Sequence, residues 1–161
     1  MSLLVIATGG TFDKRYDPIA GILGFGETHL HALLPLCRLN QPARVLVLSL
    51  KDSLDMIEAD RQAVLAACQA APESQIVVIH GTDTMPETAR VLADASLEKT
   101  IVLTGAMVPY DLAGSDALFN LGFAAAVAQI QGAGVFVAMG GQVFDGSAVR
   151  KDRAVGKFLN A

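Results

Sequence analysis

The sequence predicts a single-domain α/β fold, a three-layer open and mostly parallel sheet with flanking helices, of the Rossmann or flavodoxin type. Three observations carry this. Five strand-like runs, at 3–7, 44–50, 75–80, 100–104 and 134–139, recur at roughly even intervals. Helix-compatible segments follow the first four, and strands alternating with helices imply parallel pairing through right-handed crossovers. The runs Leu3-Leu4-Val5-Ile6 and Gln75-Ile76-Val77-Val78-Ile79 are bare apolar stretches bounded by Gly and turn formers. Such stretches read as strands buried on both faces.

At 161 residues the chain is long enough for a substantial core. Hydrophobic residues make up 52% and charged residues 17%, a globular composition. The net charge is -4, and no Lys/Arg run exceeds two residues, which argues against nucleic acid or an anionic membrane as a partner. Cys37 and Cys68 fall on expected helices without metal or redox spacing and read as buried free thiols in a reducing compartment. No stretch reaches membrane-spanning length, and the start lacks the basic region of a signal peptide. A cytoplasmic protein is expected.

Each run has its sequel. After the first come Thr8-Gly9-Gly10-Thr11 and then a long glycine-containing segment, 13–27, read as a mobile functional loop carrying Tyr16. After the second comes Asp52-Ser53-Leu54-Asp55, with Ser53 as a helix N-cap and a candidate carboxylate site. In the helix that follows, Ile57, Val64, Leu65 and Cys68 share one face. After the third comes His80-Gly81-Thr82-Asp83-Thr84-Met85-Pro86-Glu87, where Thr84 and Glu87 form a capping box. The fourth ends in Thr104-Gly105-Ala106-Met107-Val108-Pro109, followed by Ser115-Asp116 as turn and N-cap. No linker, repeat or low-complexity tract suggests a second domain.

Ligands of parallel sheets bind just past the carboxyl ends of the strands. Thr8, Thr11, Thr82 and Thr84 with Asp83 fall there. That pattern suits a threonine nucleophile. Gly9 and Gly10 permit a tight turn whose backbone N–H groups can hold an anion or oxyanion. Capping leaves Thr82 and Asp83 unexplained. A carboxylate at that mouth can anchor a substrate ammonium or complete a proton relay. His80, at a strand end, reads first as a satisfied core histidine. Arg150-Lys151-Asp152-Arg153 reads as a solvated face, unless a lysine is brought beside Thr82 to act as a base.

Together these motifs resemble the threonine-dependent L-asparaginase/glutaminase family, in order, from Thr8-Gly9-Gly10-Thr11 to Lys151. His80-Gly81-Thr82-Asp83-Thr84 and Gly105-Ala106-Met107-x-Pro109 are the specific markers. By resemblance, Thr11 is the nucleophile, Thr82 and Asp83 the threonine–aspartate pair, and Lys151 the lysine of a Thr-Lys-Asp relay. Ser53 matches the serine that holds the substrate α-carboxylate, and Tyr16 the loop tyrosine that assists the nucleophile. Gly10, Ala106, Thr82 and Asp83 join Ser53 as substrate-binding positions.

The resemblance implies hydrolysis of asparagine to aspartate and ammonia, with a small amino acid as substrate and no metal or cofactor. Alternatives are a glutaminase or transamidation subunit, and a catalytically weak amino-acid-binding module. Familiar members have a second domain, which supplies an acidic residue to the substrate amine. This chain is therefore expected to be a short single-domain member or a truncated one, with thinned amine recognition. Leu54 also stands where a polar residue often follows the serine. A homodimer or higher even oligomer is expected to cover the open rim of the site.

Overall fold

The computed structural model describes residues 2–160. Its centre is a six-stranded sheet of β1 (Leu3–Gly9), β4 (Ala43–Lys51), β5 (Gln75–Ile79), β6 (Thr100–Thr104), β7 (Gly134–Met139) and β8 (Gln142–Asp145). The order is β4-β1-β5-β6-β7-β8. The first five strands are parallel, and β8 runs antiparallel to β7. Two separate hairpins, β2 (Lys14–Asp17) with β3 (Ile22–Phe25) and β9 (Val149–Asp152) with β10 (Lys157–Asn160), lie outside this sheet.

Strand alternation sends side chains to two cores, one on each face. Leu4 and Ile6 of β1, with Ile76 and Val78 of β5, pack against α2 (Glu58–Ala70) and α3 (Met85–Asp94). Leu3, Val5 and Ala7, with Val77 and Ile79, pack against α1 (Leu30–Cys37) and α4 (Ala117–Ile130). This is the three-layer sandwich expected. Every residue of β1 and β6 is buried, as is all of β5 beyond Gln75. β4 is the sheet edge and is only partly buried.

Several local readings change. Segment 13–27 is the β2–β3 hairpin with its flanks rather than a mobile loop. Its strands pair from Lys14 with Phe25 to Asp17 with Ile22, and the Asp17 carboxylate accepts the N–H groups of Ile19 and Ala20 at the tip. An α-helix does not therefore follow β1 directly, since α1 begins only at Leu30. β8 was absent from the five expected runs. Ile57 is not on the buried face of α2 but at its N-cap, 64% exposed, while Val64 and Cys68 are buried. Cys68 is fully buried, and burial pushes its thiol up to about 12. Cys37 is only partly buried. No helix among the described residues is long and apolar enough to cross a membrane.

Candidate active site

Four strand ends converge where the loops after β1, β4, β5 and β6 meet. Gly10 has φ +72°, and a Cβ there would lie 2.4 Å from the Gly81 backbone. A Cβ on Gly81 would in turn lie 2.5 Å from the Ser53 Cβ. Only glycine allows the three loops to touch in this way. The Gly10 N–H donates to Lys51 O at 2.9 Å, which ties the first loop to the end of β4. Thr11 and Thr82 each lie one residue beyond the Gly10–Gly81 contact. Thr11 opens a short 3-10 turn, Thr11–Asp13, and is partly exposed.

Lys151 is brought to Thr82 by the alternation of β9. Val149 and Lys151 point to one side of that strand, and Val149 is fully buried in the core. Lys151 pairs with Phe158 of β10, which is also a core residue. The charged run is thus not a uniformly solvated face, because its alternate residue is drawn inward. The Lys151 side chain is 7% exposed. Its Nζ donates to Thr82 Oγ1 and to Asp83 Oδ1, each at 2.7 Å. Thr82 is itself buried and Asp83 half-buried. A hydroxyl, an ammonium and a carboxylate are thereby joined across 69 residues of sequence.

Ser53 is buried and links two loops. Its Oγ accepts the Thr84 N–H at 3.4 Å, and its carbonyl accepts the Thr84 hydroxyl at 2.8 Å. The expected capping box between Thr84 and Glu87 is therefore not formed. Thr84 is the N-cap residue of α3, but its hydroxyl is committed to Ser53 instead of the helix. The N-cap role expected of Ser53 falls to its neighbour, since the Asp52 carboxylate accepts the Leu54 N–H at 3.0 Å. Asp52 also accepts from Lys14 Nζ at 2.7 Å, and this bond above all holds its carboxyl below the usual range.

His80 is fully buried. Its Nδ1 lies 2.8 Å from Gly81 O, an acceptor, so Nδ1 carries the proton. Nε2 then accepts the Thr88 hydroxyl at 2.8 Å. Burial lowers its pKa to about 4, and the ring is a neutral, satisfied core group.

Tyr16 is 54% exposed on β2, facing Leu23 across the hairpin. The hairpin base is fixed by buried Asp13, which accepts from the Thr28 hydroxyl at 2.9 Å and the His29 N–H at 2.8 Å. Burial is the main cause of the raised Asp13 pKa.

Sequence reasoning missed the clamp behind Ala106. Asp116 was read as part of a turn and N-cap, but it makes no cap bond to α4. Its carboxylate accepts the N–H groups of Met107 and Val108, each at 3.0 Å, and the Asn120 amide at 2.9 Å. Asn120 also donates to Gly105 O at 2.9 Å. Together they fix the turn in which Ala106 is buried. The i, i+4 spacing of Asp116 and Asn120 at a helix start was the available signal. A cleft of about 350 Å³ lies beyond this turn, between Met107, Asp116, Met139 and Phe158, and no relay residue lines it.

Residues 2–156 match the asparaginase family in its N-terminal domain. The chain is 29% identical over 161 residues to the L-asparaginase of Bacillus licheniformis, covering 93% of this chain and 49% of that one. It is 30% identical over 164 residues to a glutamyl-tRNA(Gln) amidotransferase subunit from Thermococcus kodakarensis, covering 93% and 37%. The solved structure of the thermostable L-asparaginase from Thermococcus kodakarensis superposes with a TM-score of 0.89 at 27% identity, covering 99% of this chain and 51% of that one. The chain thus spans about half the length, or less, of these relatives.

Proposed function

This chain belongs to the asparaginase family, and on that premise we propose that it hydrolyses the side-chain amide of L-asparagine to L-aspartate and ammonia. The observation that carries the reading is Lys151 Nζ bridging Thr82 Oγ1 and Asp83 Oδ1 at the carboxyl end of the sheet. A positioned base beside a hydroxyl is what nucleophilic amide hydrolysis requires.

The Thr11 oxygen attacks the amide carbon. Its proton passes through the Thr82 hydroxyl to Lys151 in its neutral amine form, or to the hairpin Tyr16 in its phenolate form. A backbone N–H near Thr82 holds the oxyanion, since the Gly10 N–H is committed to Lys51 O. The tetrahedral species expels the amide nitrogen, which takes up a proton and leaves as ammonia. A β-aspartyl ester remains on Thr11. Water then cleaves it, returning the proton to Thr11 and releasing aspartate. Ser53 and the Ala106 turn border the substrate, and Asp83 faces its amine. The free thiols suit a reducing compartment, the cytoplasm.

The likeness to an amidotransferase component favours glutamine as the second substrate to test. Ammonia release from asparagine and from glutamine, by the parent and by Lys151→Met, tests the reading. The methionine keeps the apolar stem and removes the amine. A fall in turnover of about a hundredfold or more is expected, the order for loss of a positioned acid–base group. Parental rates across pH in Lys151→Met contradict the reading. Saturable asparagine binding without ammonia release by the parent would make the chain a binding module.

A further inference from the structure

Lys14 stands where three parts of the site meet. Its N–H donates to Thr11 O and closes the short turn that Thr11 opens. Its Nζ donates to Asp52 Oδ2 at 2.7 Å, a charge-assisted bond across 38 residues of sequence. The other oxygen of that carboxylate, Oδ1, accepts the Leu54 N–H at the start of the 3-10 turn Ser53–Asp55. Asp52 thus holds the Ser53 turn with one oxygen and the β2–β3 hairpin with the other. Among the described residues no other hydrogen bond or ion pair joins the hairpin strands to that turn.

Strand alternation extends this bond to Tyr16. Lys14 and Tyr16 are two residues apart on β2, opposite Phe25 and Leu23, and so share one face of the hairpin. Lys14 turns toward Asp52, which makes this the face presented to the Ser53 turn. Arg15 lies on the other face and donates to Glu27 O at 3.1 Å. The partner of Lys14 is specific. Asp55, in the same turn, is within ion-pair distance of no cation among the described residues, and Asp60 is taken by Lys51. The Lys14 and Asp52 side chains are 23% and 31% exposed. An ion pair so exposed contributes little to global stability, so its effect is on where the hairpin sits.

We infer that Lys14 is a positioning residue, whose bond to Asp52 sets the hairpin face carrying Tyr16 against the turn carrying Ser53. The inference rests on the amidase reading for the roles of Tyr16 and Ser53, and on geometry alone for the bond itself.

Backbone hydrogen exchange on the full chain, without ligand, reads the registration directly. Lys14→Met keeps the apolar stem and removes the charge. It is expected to speed exchange about fivefold in segments 14–25 and 52–56 together, the scale of one partly exposed ion pair. Asp52→Asn keeps an oxygen for the Leu54 N–H and is expected to do the same, whereas Lys14→Arg is expected to restore parental exchange. In ammonia release from asparagine, Lys14→Met and Asp52→Asn are each expected to raise KM about fivefold and to change kcat by less than about twofold, because Thr11 and the Lys151 relay stay in place. The double variant is expected to be no worse than either single one, the mark of a shared interaction. Urea midpoints are expected to match the parent, whereas a merely structural role would lower them. The inference is overturned if exchange in 52–56 is unchanged in Lys14→Met, if KM is unchanged, or if the effects of the two single variants multiply. Absence of ammonia release by the parent would count against the amidase reading, and the exchange result would then decide the registration by itself.

Discussion

At the residue scale, chemistry follows burial. Lys151 and Arg153 are two residues apart in one charged run, yet one is enclosed and the other open. Lys151 lies within β9 on the side that faces the core, whereas Arg153 lies in the turn beyond the strand's end at Asp152. His80 shows the opposite outcome, a titratable group enclosed so fully that it stays neutral. Its pKa of about 4 lies below the ordinary 6.5, so the unfolded chain binds the extra proton between those values. The His80 contribution to stability is present above pH 6.5 and is lost as pH falls toward 4. The raised Asp13 pKa acts in the other direction, since a carboxyl that ionises reluctantly favours the folded state on acidification. An NMR titration separates them. The His80 ring signals are expected to stay at neutral-form positions from pH 7 down to pH 5. A midpoint at pH 6 or above contradicts the buried assignment.

At the scale of elements, the site depends on loops that touch through glycine. Gly81→Ala would press a methyl against Ser53 and displace the start of α3 together with Thr82. A loss of about 1–3 kcal/mol is expected, the usual range for overpacking a closed site, with activity falling further than stability. Gly24→Ala, on the hairpin, meets nothing within 4 Å and is the control. Urea midpoints for the pair check this. Equal midpoints would show that the loops yield.

The same elements show what could be read from the sequence. The five parallel strands were legible because their apolar runs are short and bounded by turn formers. β8 was missed, although Gly140-Gly141 marks its hairpin: both residues have positive φ, as a two-residue turn requires. β2 and β3 were hidden because their exposed four-residue strands lack a core-facing alternation. The role of Thr84 was not legible, because it gives up a local cap for a partner in another loop; Asp116 gives up its cap for the Met107 and Val108 N–H groups of its own loop, and only its i, i+4 spacing to Asn120 signalled this. Thr84 is 31 residues from Ser53. Local patterns state which caps are available and carry no information about such competitors.

At the scale of the whole molecule, the rim of the site carries exposed apolar residues. On the hairpin, Tyr16, Ile19, Ile22, Leu23 and Phe25 are between 37% and 98% exposed, and beyond β4 Leu54 and Ile57 are 59% and 64% exposed. Two-fold association is the commonest way to cover such surface, and excluding water at the rim favours the reaction. A homodimer or higher even oligomer is expected, with the hairpin at its interface. Light scattering at micromolar concentration is expected to give a mass at least twice the 16.8 kDa of one chain. Ile22→Asp is expected to lower that mass and activity together. A single-chain mass with full specific activity at high dilution contradicts this.

The reaction proposed for this site begins with attack on an amide by a threonine of the first loop. Ammonia release from asparagine by the purified chain and by Thr11→Ala tests it most directly. The variant leaves Gly9 and Gly10 in place, so its melting curve should match the parent. Its turnover is expected to fall by about a hundredfold or more. Undiminished ammonia release by a folded Thr11→Ala chain would remove Thr11 from the reaction.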